Sequence, residues 1–377
     1  MFTGLKIVEL ASVLAGPSVG QFFAELGADV VKIENLLTGG DVTRSWKTAG
    51  EKEGDCSAYF CSCNWGKKSL AIDLITSRGK QIVQKLIAKS DIVIASYKPG
   101  DAGILGVSYE QLATINPQLI YGQITGYGSE SDRVGYDAVV QAESGFMDLN
   151  GEKDGPPLKM PVALIDILAG HQLKEGLLIA LLKKEKTGQG SFVEVSLIQA
   201  AIASLANQAT NWLMTNQIPT RKGSAHPNIA PYGESFETRD GKRIILAIGN
   251  DKQFINLMTL LGHEEVAKMP AYNTNKKRVI NRVNLNDILK QLIEKAQSGE
   301  LLPRLHAAKI PAGLIQNVKE VFEMPEGGAL LFQSHGSMGV KNFVAGPSEW
   351  RANKLLPPPR FGEHTEEILK ELREGVK

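Results

Sequence analysis

The first half of the chain alternates nearly apolar strand patterns with helix patterns, and this order restricts the fold more than any other feature of the sequence. Residues 5–12 are apolar on both faces, as a central parallel strand is. Pro17 then suits the first turn of a helix. The apolar residues that follow recur at helical spacing up to Gly27. Similar strand patterns follow at residues 28–34, 91–97 and 118–126. We therefore predict an α/β fold with a parallel sheet covered by helices on both faces.

The remaining patterns divide the chain into three parts. A loop leads from the second strand to a helix that Ser77 caps, and a long helix covers about residues 164–186. An apolar helix running to about Trp212 is followed by a linker rich in Pro, Gly and Asn. A hairpin turning at Asp240-Gly241 then opens a smaller α+β domain. The predicted domains are 1–216, 217–330, which includes the linker, and a C-terminal segment, 331–377.

The composition is that of a globular protein and excludes some classes of function. Apolar residues make up 43% and charged residues 22% of the chain, and the formal net charge of +1 argues against nucleic-acid binding. We see no signal peptide, and no apolar run approaches the ~18 residues of a membrane span. The cysteines Cys56, Cys61 and Cys63 lack further ligands nearby, so we expect free thiols, no metal site and a cytoplasmic location.

The loop after the first strand does not suit a dinucleotide. Residues 15–20 read AGPSVG, which lacks the G-x-G-x-x-G spacing, and Pro17 removes an amide that would face a pyrophosphate. This argues against NAD. Loops after parallel strands nevertheless hold ligands at the carboxyl edge of the sheet. Positive side chains in this half of the chain each fit a solvated surface charge, but together suit the phosphates of coenzyme A: Lys67, Lys68, Lys98 and Arg133.

Asp166 is an acidic residue inside the apolar run MPVALIDILAG, close to where the long helix should begin. A helix cap or an ion pair would explain it, because an unpaired buried carboxylate is costly. A helix N-terminus also supplies free backbone donors and a favourable dipole, which would keep the carboxylate ionised and able to attack a thioester carbonyl. From the residues alone, both interpretations stay open.

Several motifs in fixed order resemble one enzyme family across nearly the whole chain. They are LKIVELASVLAGPSVGQFFAELGADVVKIE, NWGKKSLAIDL, GYDAVVQAESGFMDLNG, DGPPLKMPVALIDILAG, KTGQGSFVEVSL and FGEHTEEILKEL. The sequence resembles the class III CoA-transferases, which include formyl-CoA:oxalate and crotonobetainyl-CoA:carnitine transferases and the α-methylacyl-CoA racemases.

The resemblance implies that Asp166 is the catalytic nucleophile, forming first a mixed anhydride with the acyl group and then an aspartyl-CoA thioester. It implies a Rossmann-like large domain built from both chain ends, and a homodimer of interlocked chains. The expected partners are an acyl-CoA, a carboxylic acid and a second copy of the chain, with coenzyme A as substrate and no tightly bound cofactor. The CoA-binding residues would be Val13, Leu14, Ala15, Lys67, Lys68, Ser96, Tyr97, Lys98 and Arg133.

Departures from the family pattern bear on the activity. The racemases pair the aspartate with a histidine in a G-H-D motif, where this chain has Gly135-Tyr136-Asp137. A tyrosine is a poor acid/base partner at neutral pH, which favours transfer over racemisation. Tyr136, Glu143 and His226 are candidates for the substrate wall, although each also fits a structural role.

Other functions remain as alternatives. An acyl-CoA racemase or epimerase of the same family is the first of them. A nicotinamide oxidoreductase and a CoA-binding protein without turnover are the others.

Overall fold

The computed structural model describes residues 1–51, 54, 56–334, 337–351 and 354–374. The chain forms two compact units. The first contains Met1–Met147, Lys159–Asn216 and Ala329–Lys377, so it includes both ends of the chain. The second contains Asp148–Leu158 and Gln217–Gly328.

A parallel sheet of six strands forms the centre of the first unit. Its strands are β1 Lys6–Leu10, β2 Asp29–Asn35, β3 Lys67–Ile72, β4 Ile92–Ala95, β5 Ile120–Thr125 and β6 Ser191–Ser196. They are ordered β3-β2-β1-β4-β5-β6, and every neighbouring pair is parallel. The strand order reverses between β1 and β4, as it does in doubly wound dinucleotide-binding folds. The predicted parallel α/β sheet is therefore confirmed.

Helices cover both faces of this sheet. The helices of this part of the chain are α1 Ala15–Glu25, α2 Ala58–Cys61, α3 Ser77–Ile87, α4 Asp101–Ile104, α5 Tyr109–Ile115, α6 Asp137–Glu143, α7 Phe146–Leu149, α8 Leu164–Thr187, α9 Leu197–Ala203 and α10 Asn207–Thr215. One core layer lies between the sheet and α1, α8 and α9, and a second lies against α3 and α5. In β1, Ile7 enters the first layer while Val8 and Leu10 enter the second, which explains why this strand is apolar on both faces.

The second unit combines a small antiparallel sheet with helices. The sheet contains β7 Tyr232–Glu237, β8 Arg243–Ala247 and β9 Ala312–Leu314, with β8 in the centre. The helices are α11 Asp251–Leu260, α12 Glu264–Lys268, α13 Asn275–Ile280, α14 Arg282–Ile293, α15 Ser298–Ala307, α16 Val318–Glu323 and α17 Pro325–Gly328. They enclose an apolar core of their own.

The C-terminal segment returns to the first unit. It forms the hairpin β10 Leu331–Ser334 and β11 Ser337–Val340 and then α18 Thr365–Glu374, whose Ile368 packs into the second core layer. None of the helices in the described residues is long and apolar enough to cross a membrane.

Three local expectations were wrong. The loop expected between the second strand and α3 contains β3, an edge strand whose polar residues Lys67 and Ser69 are buried rather than solvated. Thr76, not Ser77, caps α3, because its side chain accepts the Gly79 amide. The helix expected to continue to Trp212 breaks at Ala206, whose φ of 49° is left-handed.

Candidate active site

A cavity of about 320 Å³ opens at the carboxyl edge of the parallel sheet. It is lined by the loops after β1, β4 and β5 and by the beginning of α8. Because the strand order reverses between β1 and β4, the loops after these two strands diverge and leave a crevice. Ser12 after β1 donates its amide to the Ser96 hydroxyl after β4 across this crevice, at 3.4 Å.

The beginnings of α1 and α8 meet at this cavity because the two helices approach closely. A Cβ on Gly170 would lie 2.6 Å from Ser18 Oγ and 3.1 Å from the Ala15 carbonyl oxygen, so only glycine permits this contact. Asp166 lies one turn before Gly170 on the same helix face. The packing therefore places its carboxylate beside the first turn of α1.

Asp166 is buried, with 7% of its surface exposed, and it lines the cavity. It is the third residue of α8. No hydrogen bond or ion pair to its carboxylate is formed by the residues that the structure describes. Burial, and then the negative charge of Asp137, raise the pKa of Asp166 from 3.8 to about 7. A carboxylate in this environment is more basic than a solvated one.

Asp137 acts as the cap at the beginning of α8. Its Oδ1 accepts the Ile165 amide at 2.8 Å, so it satisfies a free donor at the beginning of α8. Its Oδ2 accepts from Gln141 Nε2 at 2.8 Å. The alternative that Asp166 is the cap therefore does not hold, because Asp137 performs that role from a neighbouring helix.

Two glycines allow the loop after β5 to place Asp137 beside the beginning of α8. Cβ atoms on Gly126 and Gly135 would lie 2.7 and 2.4 Å from each other's Cα, so the loop after β5 crosses itself where only glycine fits. Tyr136 follows this crossing and lines the cavity, with 61% of its surface exposed.

The loop after β1 carries a strained residue. Val13 has φ of 72°, a left-handed conformation that costs a β-branched residue about 1–3 kcal/mol. The first turn of α1 follows directly, without a side-chain cap. The amides of Ala15 and Gly16, which line the cavity, therefore have no acceptor within the helix.

Two cationic side chains line the cavity. Lys98, after β4, is exposed, and none of the described acidic side chains pairs with it. Arg133 stacks on the Tyr127 ring at 4.0 Å and pairs with Glu143 at 2.6 Å, and Glu143 also accepts from the Tyr127 hydroxyl at 2.7 Å. Hydrogen bonds from Tyr127 and Arg133 lower the pKa of Glu143. Glu143 thus orients Arg133 and is not itself part of the cavity lining.

Lys67 does not reach this cavity, so the structure contradicts its place in a phosphate site. Its ammonium is fully buried and binds Glu9 at 2.8 Å, Asn64 at 2.8 Å and the Pro17 carbonyl at 2.8 Å. Lys68 also lies away from it, at the amino end of β3, where it pairs with Glu367 at 3.0 Å.

Of the other predicted site residues, some line the cavity and some do not. The cavity brings together Val13, Ala15, Ser96, Tyr97, Lys98, Arg133, Tyr136 and Asp166. Leu14 directly precedes α1 and does not line the cavity. His226 belongs to the second unit, where its ring contacts Tyr232 and its Nδ1 accepts the Asn228 amide.

Sequence reasoning missed Asp137, Trp46 and Thr125 at this site. The signal for Asp137 was its position directly after Gly135-Tyr136, but its contact with Ile165 lies 28 residues away in sequence. Among the described residues, no group of three or more His, Cys, Asp or Glu side chains is arranged to hold a metal ion.

A doubly wound sheet with a cavity at its strand-order reversal, lined by the buried Asp166 carboxylate, places the chain among the α/β proteins that hold ligands at the carboxyl edge of the sheet. A family model described as CoA-transferase family III matches residues 2–365. The chain belongs to this family and is a CoA-transferase.

Individual relatives are similar over nearly the whole chain. Succinate–glutarate CoA-transferase of Agrobacterium fabrum is 38% identical over 384 residues, which cover 98% of this chain and 95% of that protein. Human succinyl-CoA:glutarate CoA-transferase is 36% identical over 379 residues, covering 98% and 85%. The crystal structure of a CAIB/BAIF family protein from Brucella suis is 39% identical with a TM-score of 0.84, covering 98% of this chain and 99% of that one.

Proposed function

We propose that this CoA-transferase works through a covalent intermediate on Asp166, moving coenzyme A from an acyl-CoA to a carboxylic acid. One observation carries the proposal. The Asp166 carboxylate is buried at the cavity without a partner among the described residues, and the pKa of Asp166 is raised to about 7. An oxygen that makes no hydrogen bond keeps its lone pairs for an incoming carbonyl carbon, and its raised basicity strengthens the attack.

The reaction then proceeds in balanced steps. An Asp166 oxygen attacks the donor thioester, the C–S bond breaks, and CoA thiolate leaves an aspartyl–acyl anhydride. The thiolate attacks the Asp166 carbonyl, which releases the donor acid and forms an aspartyl-CoA thioester. The acceptor carboxylate attacks this thioester and frees the thiolate, which then attacks the acyl carbonyl of the new anhydride. The new acyl-CoA leaves, and Asp166 is a carboxylate again.

Each step passes through a tetrahedral oxyanion that needs donors. Ala15 and Gly16 line the same cavity, and their amides lie at the uncapped, positive end of the α1 dipole. We assign the oxyanion to these amides. Gly16 is constrained as well, because a Cβ there would lie 2.4 Å from the Ala11 Cβ.

Coenzyme A would lie at the crevice where the strand order reverses. Ser96, Tyr97 and Lys98 follow β4 there, and the charge of Lys98, which none of the described acidic side chains neutralises, suits a phosphate. Val13 and Ala15 offer an apolar wall to the pantetheine arm. Arg133 adds a second cation at the same cavity.

We further propose a short dicarboxylic acid as acceptor. The relatives from Agrobacterium fabrum and human are named for succinate and glutarate, and others at 32% and 29% identity are named for mesaconate and malate. A carboxylate at the far end of such an acid needs a polar partner, and the cavity offers Tyr136 and Ser131 for it.

The functional form is proposed to be an interlocked homodimer. The first unit exposes apolar side chains on α10, with Leu213 72% and Met214 83% exposed beside the half-exposed Trp212. A contiguous apolar surface of this kind is typical of a protein interface. Sedimentation at dilute and concentrated protein tests this proposal, and a monomer throughout contradicts it.

The experiment for the function compares wild type, Asp166→Asn and the exposed-site control Asp132→Asn with succinyl-CoA and glutarate. We expect glutaryl-CoA from wild type and the control, and none from Asp166→Asn. Intact-protein mass spectrometry after quench should find a CoA or acyl adduct on the first two only. Exchange of the substrate α-proton with deuterium, without an acceptor acid, would instead indicate a racemase.

A further inference from the structure

A buried carboxylate outside the cavity, Asp41, holds the loop after β1 at Val13. Both Asp41 oxygens accept the Val13 amide at 3.3 Å, and the Cys63 thiol approaches the Val13 carbonyl at 3.4 Å. These contacts hold both backbone groups of the residue whose φ is 72°. A valine would otherwise leave this left-handed conformation readily.

Asp41 is itself held rigidly. It is 5% exposed, pairs with the buried ammonium of Lys32 at 2.9 Å, and accepts the Thr43 hydroxyl at 2.8 Å and amide at 3.0 Å. Its own amide donates to Glu34 at 2.9 Å. Lys32 also binds the Ala11 carbonyl at 2.6 Å, so the contacts of Asp41 extend to the end of β1.

The direction of the chain at Val13 decides where the beginning of α1 points. With the Val13 amide occupied by Asp41, the free donors are those of the first turn, including Ala15 and Gly16. An extended Val13 would release this bond and change the path of the chain into the first turn of α1.

We propose that Asp41 is a positioning residue for CoA transfer, which holds Val13 in its left-handed conformation and so aims the amides of Ala15 and Gly16 at the thioester carbonyl beside Asp166. This inference rests on the proposed function. Asp41 touches neither substrate nor the reacting atoms, and acts only through the backbone of Val13.

The test compares Asp41→Asn in two backgrounds, Val13 and Val13→Gly. In the Val13 background, we expect Asp41→Asn to lower kcat by about tenfold to a hundredfold, since a misplaced oxyanion donor approaches the effect of a removed one. KM for the acyl-CoA should change less than about threefold. Glycine adopts left-handed φ without strain. The same Asp41→Asn change should therefore cost less than about threefold in the Val13→Gly background, and equal losses in both backgrounds overturn the inference.

The pH profile supplies a second readout. The ionisation of Asp166 responds to burial and to Asp137, so Asp41→Asn should lower the plateau of kcat/KM without moving its midpoint. A shifted midpoint means that Asp41 acts on the Asp166 charge directly, which contradicts positioning through Val13.

Two controls keep the result interpretable. If Asp41→Asn does not fold, Lys32→Met with Asp41→Asn removes the buried Lys32–Asp41 pair as a whole and leaves Glu9 paired with Lys67, and the same comparison of backgrounds is made on that variant. Adduct formation on wild-type Asp166 is measured in parallel. If no adduct forms on wild-type Asp166, the proposed function itself fails. If the adduct forms but Asp41→Asn leaves kcat unchanged, only the positioning role is refuted.

Discussion

Replacing Asp166 by asparagine should make the folded protein more stable, and the gain should depend on pH. Asparagine has nearly the same shape but cannot ionise. In the wild type, burial and Asp137 raise the pKa of Asp166 from 3.8 to about 7. The folded protein therefore keeps a proton that the unfolded chain has lost at any pH between these values.

The sign and size of this difference in unfolding free energy follow from proton linkage. The protonated carboxyl contributes its full stability below the unfolded pKa of 3.8, and this contribution is lost as the pH rises to about 7. Each pH unit in this window costs the wild type about 1.4 kcal/mol, and the whole window of order 4 kcal/mol. Asp166→Asn avoids this cost, so its advantage should grow by about 2–3 kcal/mol between about pH 5 and pH 7 and then level off.

The assay is chemical denaturation of wild type and Asp166→Asn at a series of pH values between about 5 and 8.5, with the difference in unfolding free energy plotted against pH. Asp132→Asn removes an exposed carboxylate and should give a flat line. A flat line for Asp166→Asn, or a variant less stable than wild type at high pH, would refute the reasoning that this carboxylate is buried without a partner.

Further predictions concern the rate, the binding of substrate and the packing at the site. In the wild type, kcat/KM for the acyl-CoA should rise about tenfold per pH unit at acid pH and level off near the Asp166 pKa of about 7; a profile flat from pH 5 to 8 argues against an ionising nucleophile. Asp137→Asn removes a negative charge that raises this pKa, so the midpoint should move to lower pH, and a move to higher pH contradicts the assignment. Lys98→Ala should raise KM for acyl-CoA about tenfold yet leave KM for free dicarboxylate unchanged, and equal effects on both would place Lys98 elsewhere. Gly170→Ala brings a Cβ within 2.6 Å of a hydroxyl oxygen of α1 and should destabilise by about 1–3 kcal/mol, unlike Gly299→Ala on an open helix face.

The sequence was informative where a pattern is local. Apolar strands of the parallel sheet and the long helix α8 were predicted because hydrophobic periodicity depends on neighbouring residues. Gly188 ends α8 with a left-handed φ of 68°. Strand β3 was missed because its buried polar residues, such as Ser69, resemble a solvated loop until a tertiary partner is known. The domain limits at residues 216 and 330 stay predictions.

The candidate site shows the same limit. Asp166 stood out because an acid inside an apolar run is costly wherever it lies. Lys67 was placed wrongly because its partner Glu9 belongs to another strand, and the contact follows only from the sheet. Asp137 and Asp41 were not identified, since both act through backbone amides 28 residues away in sequence. Contacts between a side chain and the backbone of a distant residue cannot be predicted from the pattern of side chains along the sequence.

The most direct test of the account follows oxygen atoms through turnover. If the acceptor acid attacks an aspartyl-CoA thioester, one of its carboxylate oxygens becomes the bridging oxygen of the new anhydride and stays on Asp166 when the acyl-CoA leaves. Turnover with a dicarboxylate labelled with heavy oxygen, followed by peptide mass spectrometry, should therefore find the label on the peptide that contains Asp166. An unlabelled peptide after many turnovers would show that the acid attacks the donor thioester directly, and would contradict a covalent role for Asp166.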